Sequence, residues 1–128
     1  MKPAGKPGYR CTLRIDRVVI RSSGELSSAL DGLSDFTTLR DHARNNIHEH
    51  RFQEPYGRVR EMVSNVSKTR LFISYQARYR QVAPIRIAVV PDDCAGLKRL
   101  ELERIMQAFA PCQLVVVEIA FDFSRRSK

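Results

Sequence analysis

The chain is expected to fold as one α+β domain, a mostly antiparallel sheet with helices packed on one face. Three observations predict this. Its 128 residues, 43% hydrophobic and 28% charged, are enough to bury one core and are ordinary for a globular chain. Several stretches alternate apolar and polar residues with the period of two that marks a half-buried strand. Three of those stretches, between residues 56 and 90, follow one another with no helical pattern between them, which suits antiparallel pairing.

The elements follow in order. Residues 1–8 carry no apolar run of the kind a signal peptide needs, and read as a disordered leader to a single domain over 9–128. A first strand is expected over 9–20, where Cys11, Leu13 and Ile15 alternate with Thr12, Arg14 and Asp16 before Val18, Val19 and Ile20. Ser22-Ser23-Gly24-Glu25 has the capping-box pattern, with Leu26, Leu30 and Leu33 behind it at helical spacing. A second helical stripe runs through Phe36, Leu39, Ala43 and Ile47, with Arg40 and Arg44 off it. After Pro55, residues 56–63 and 69–77 read as a β-hairpin closed by a polar turn over 64–68.

A short β-branched strand is expected over 84–90. Asp92 or Asp93 then offers an N-cap for a helix over 94–109, with Leu97, Leu100, Ile105, Ala108 and Phe109 on its apolar side and Arg99 set to pair with Glu103. Pro111 ends that helix. The last strand, 114–124, places Val115, Val117, Ile119, Phe121 and Phe123 on one side and Leu114, Val116, Glu118, Ala120 and Asp122 on the other. Apolar on both sides at its start, it reads as a central, buried strand. The order β-α(α)-β-β-β-α-β fits a ferredoxin-like sheet. In such a sheet the first and last strands lie side by side in the middle, bringing Asp16 near Glu118 and Asp122.

A formal net charge of +8 favours a polyanionic partner, nucleic acid before an acidic membrane surface. Arg58, Arg60, Lys68, Arg70, Arg78 and Arg80 crowd the predicted hairpin and its exit, interleaved with Tyr56, Tyr75 and Tyr79. Arginines that grip phosphates beside tyrosines that stack on bases are the apparatus of a nucleic-acid-binding surface. Tyr75 and Tyr79 also have the i, i+4 spacing of paired nicking tyrosines, although Tyr75 falls in a strand pattern. His48-Glu49-His50 reads as a polar cluster at a helix end, with a metal pair as the alternative. Three cysteines, Cys11, Cys94 and Cys112, without C-x-x-C spacing, argue against a disulfide framework or zinc ribbon and fit the cytoplasm. No run of 18 apolar residues offers a membrane span.

Two acids on an apolar strand need a reason, because a buried unpaired charge costs several kcal/mol. Glu118 and Asp122 stand about 13 Å apart along one strand face, and Asp16 from the neighbouring strand can bridge the gap. Three hard oxygen ligands describe a Mg²⁺ or Mn²⁺ site; pairing with Arg14, Arg86 and Arg125 is the other reading. The run Glu118-Ile119-Ala120-Phe121-Asp122, at the end of an apolar strand, resembles the signature strand of rolling-circle replication initiators, the replication initiation factor family. Leu13-Arg14-Ile15-Asp16-Arg17-Val18 is similar to that family's first strand.

The resemblance implies a ferredoxin-like sheet, a divalent ion held by acids, and DNA nicking by a tyrosine that follows the signature. Val116 stands where the signature has arginine, Arg17 where the first strand has an aromatic, and no tyrosine follows residue 122. The chain therefore resembles the family's N-terminal half. A DNA-binding, initiator-like module is the expectation, with catalysis by this chain left open. A non-catalytic RNA- or DNA-binding domain and a protein-interaction domain with an acidic partner are the alternatives.

Overall fold

The computed structural model describes residues 9–43, 55–92 and 96–125. They form β1 (Tyr9–Ser22), α1 (Leu26–Asp31), β2 (Phe36–Ala43), β3 (Tyr56–Ser64), β4 (Arg70–Ala77), β5 (Ile85–Val90), α2 (Arg99–Ala108) and β6 (Cys112–Arg125). The six strands make one sheet in the order β2-β3-β4-β5-β1-β6, every neighbouring pair antiparallel. The expected α+β class with an antiparallel sheet is what the chain adopts. The sheet is richer in strands than the expected order allowed, and among the described residues β6 lies at its edge, paired with β1.

Residues of one parity along each strand build the core. Val18 and Ile20 of β1, Ile85, Ile87 and Val89 of β5, Leu71 and Ile73 of β4, and Met62 of β3 meet Ala29, Leu33, Leu97, Ile105 and Phe109. Both helices thus cover the same face. α2 exists because Ile105, Leu102, Met106 and Phe109 recur at helical spacing toward that face, while Arg99 and Glu103 pair at 2.9 Å along its outer side. Among the described residues, no helix covers the opposite face. Its positions alternate with the core ones: Arg17, Arg21, Phe72, Ser74, Arg86, Ala88 and Val90.

Four expectations are corrected. Residues 36–43 form a strand, not a second helix, and pair with β3 from Phe36↔Ser64 to Ala43↔Arg58. A bulge at Leu39 interrupts their alternation, so the period of two is hidden. The capping box does not form, because Ser22 ends β1 instead. Its hydroxyl donates to the carbonyl of Phe109 at 2.6 Å and accepts from the Gly24 N–H at 3.0 Å, tying β1 to the end of α2.

The third correction concerns α2, which begins at Arg99 with Lys98 as its N-cap. The chain before it runs beside β1, where Leu97 N–H donates to the Ile15 carbonyl at 3.0 Å. Gly96 makes that approach possible: its φ is +81°, and a Cβ there would stand 2.8 Å from Cβ of Arg14 and 2.9 Å from the Ile15 oxygen. The fourth is β6, which is exposed rather than central. Leu114 is 44% exposed, Ile119 53% and Phe121 63%. The leader, His48-Glu49-His50 and Cys94 lie outside the described residues. Among the described residues, no helix is long and apolar enough to cross a membrane.

Candidate nucleic-acid interface

The hairpin cations do not share one surface. Arg58 and Arg60 fall on the core side of β3, opposite Tyr75 and Ile73 of β4, and both are committed to Asp41 of β2. Arg58 Nε lies 3.2 Å from Asp41 Oδ1 and Arg60 Nε 3.0 Å from Oδ2. The Tyr75 hydroxyl donates to the same carboxylate, 2.6 Å from each oxygen, and accepts from Arg58 Nε at 3.1 Å. Burial acts to raise the Asp41 pKa, but the hydrogen bonds from Tyr75, Arg60 and Arg58 outweigh it and hold the carboxyl below its ordinary value. Burial, and then the bond to Asp41, push the Tyr75 phenol up. A nucleophilic tyrosine needs the opposite shift, so this cluster reads as a lock joining β2, β3 and β4.

The other predicted binding residues are scattered. Arg70 lies on the opposite face, where Nη1 bonds Glu61 Oε2 at 2.6 Å. Lys68 sits in the hairpin turn at φ +65° and reaches the Asn65 carbonyl at 3.5 Å. Arg78 and Arg80 are exposed in the connection after β4, beside Tyr79 at 39% exposure.

Two of the predicted acids have described side chains, and each is paired with an arginine. Asp16 is the extra residue of a bulge in β1, between the pairs Ile15↔Ile119 and Arg17↔Glu118, and its Oδ1 accepts from Arg14 Nε at 2.8 Å. Glu118 accepts from Arg17 Nη1 at 3.2 Å. Asp122 opposes Thr12 in the strand register, and its side chain lies outside the described part. Among the described residues, no three His, Cys, Asp or Glu side chains gather as a metal would require. For Asp16 and Glu118 the geometry observed is pairing with an arginine, Arg14 for the first and Arg17 for the second.

What the fold does assemble is a shallow basin of about 300 Å³ on the helix-free face, lined by Arg17, Phe72, Ser74, Arg86, Ala88 and Val90. Register places it: Phe72 opposes Ala88, and Ser74 opposes Arg86. β1 contributes Arg17 to the lining and β5 contributes Arg86, Ala88 and Val90. Arg70 and Arg21 stand on the same face. The signal for it in the sequence is Arg70-x-Phe72-x-Ser74 and Arg86-x-Ala88-x-Val90, the positions that alternate with Leu71, Ile73, Ile87 and Val89. Chemically the basin offers one aromatic side chain, the Ser74 hydroxyl and two guanidinium groups, of which that of Arg17 is paired with Glu118.

Compared with family models, curated proteins and solved structures, the chain matches none.

Proposed function

We propose that this protein binds single-stranded nucleic acid across the helix-free face of its sheet. The observation that carries the reading is the basin in which Phe72 is flanked by Arg17 and Arg86. A base stacks on an aromatic ring whatever its identity, and arginine forks match phosphate oxygens better than a lysine ammonium does. Net positive charge adds long-range attraction for the strand. The β2–β3–β4 lock serves the site indirectly, by holding β4 and therefore Phe72 in place.

The rolling-circle initiator reading is the narrower form of this proposal. It adds a preference for DNA and a Mg²⁺ or Mn²⁺ ion at Asp16, Glu118 and Asp122, and rests on the likeness of residues 118–122. The Arg14–Asp16 and Arg17–Glu118 pairs weigh against the ion. On our reading the isolated chain binds without nicking, since Tyr75 is tied to Asp41.

Fluorescence anisotropy with labelled single-stranded DNA and RNA tests both forms. Engagement of about four arginines should give a log–log salt slope of roughly −3, and Phe72→Ala should weaken binding by about 1–3 kcal/mol. Affinity that ignores salt and Phe72 refutes the face as a site. Affinity for DNA that rises with Mn²⁺ and loses that rise in Glu118→Gln supports the initiator form.

A further inference from the structure

Register sorts the helix-free face into rows that cross the β-strands. Phe72, Ala88, Val19 and Val116 oppose one another in turn from β4 to β6 and make an apolar row. On one side of it runs a polar row, Ser74, Arg86, Arg21 and Gln113, over the same four strands. On the other side stand Arg70 of β4 and Arg17 of β1.

The two flanking rows differ in charge balance. Arg70 is paired with Glu61, and Arg17 with Glu118. Arg21 and Arg86 are both exposed, and among the described residues no carboxylate pairs with either. They are nevertheless directly opposed in the register of β1 and β5, which sets their Cβ atoms about 5 Å apart and opposes two like charges. Both guanidinium groups act on one phenol: burial pushes the pKa of Tyr56 up, and the charges of Arg86 and Arg21 work to lower it. The pair also stands between two hollows. Arg86 lines the basin, and Arg21 lines a second hollow of about 400 Å³ together with Gln81, Ala83 and Gln113.

We infer, on the nucleic-acid reading of this face, that Arg21 and Arg86 jointly hold one phosphodiester group of the bound strand. The nucleotide on one side of that group stacks its base on Phe72, and its neighbour enters the second hollow. A phosphodiester brings one negative charge and two acceptor oxygens, and each guanidinium offers a fork of donors that fits them. An anion between the two arginines replaces their repulsion with two attractions. The row of Arg70 and Arg17 is the poorer seat, because those forks already have acceptors and Glu61 and Glu118 repel a second anion.

Fluorescence anisotropy with a short labelled oligothymidylate tests this on native protein, Arg21→Ala, Arg86→Ala and the double variant. Each single change should weaken binding about tenfold. The double change should cost no more than about threefold further, because two groups that share one ligand do not lose affinity independently. The same oligomer with uncharged methylphosphonate linkages should bind native protein and double variant within about threefold of each other. Both side chains are exposed, so the circular dichroism spectra should coincide. Binding that depends on Phe72 but is unchanged in Arg21→Ala, or single losses that multiply in the double variant, would overturn the shared phosphate and leave the face as the site. Absence of binding by the native protein, or binding indifferent to Phe72→Ala, would overturn the reading of the face and the shared phosphate with it.

Discussion

Phe109→Ala is expected to remove about 3–5 kcal/mol of folding stability, a large share of the 5–15 kcal/mol that a domain of this kind has. Phe109 is 1% exposed, among the largest buried side chains, and packs where α2 meets the sheet and Leu33. Its carbonyl also accepts the Ser22 hydroxyl, so the ring fixes the point at which β1 is fastened to α2. Urea denaturation followed by circular dichroism measures the loss. Ser22→Ala should cost about 1–3 kcal/mol, because it leaves a buried carbonyl without its partner. A Phe109→Ala loss below that of Ser22→Ala would mean that the helix is held by other contacts.

Asp41→Ala should cost about 2–3 kcal/mol, because Tyr75, Arg58 and Arg60 all lose their common acceptor. The pH dependence has a definite sign. A carboxyl whose folded pKa is depressed contributes stability above its unfolded pKa of about 4, and that stability is lost as pH falls through the lower folded value. Tyr75 works in reverse: its raised pKa favours the fold below about pH 10, and the gain is lost as pH rises through the folded value. The native protein should therefore lose stability below about pH 4 and above about pH 10 more steeply than Asp41→Asn does. Equal limbs in the two proteins would show that the cluster does not couple to folding.

Most strands were legible because alternation survives where one face is buried: Leu71, Ile73, Ile87 and Val89 mark β4 and β5 unambiguously. β2 was not, since the extra residue at Leu39 turns a two-residue period into an apparent helical one through Phe36, Leu39 and Ala43. β6 was found as a strand but misplaced. Apolar residues on both sides are the pattern of a buried strand, yet Leu114, Ile119 and Phe121 stand exposed at the sheet edge. The site was half legible in the same sense. Positive charge pointed to a polyanion, but local density drew attention to Arg58 and Arg60, which the fold binds to an aspartate fifteen or more positions away in sequence. The cations that share a face with Phe72 come from strands far apart in the chain, and only their parity relative to the core reveals them.

The central claim, that nucleic acid lies on the helix-free face, is tested most directly by comparing two charge reversals in one anisotropy assay. Arg17→Glu with Arg86→Glu places two acids at the basin, and Arg78→Glu with Arg80→Glu places two on the exposed connection after β4, with the same change in net charge. The basin variant is expected to lose at least a hundredfold in affinity for a single-stranded oligonucleotide, and the connection variant less than tenfold, the share owed to net charge alone. Equal losses, or a larger loss in the connection variant, would contradict the claim.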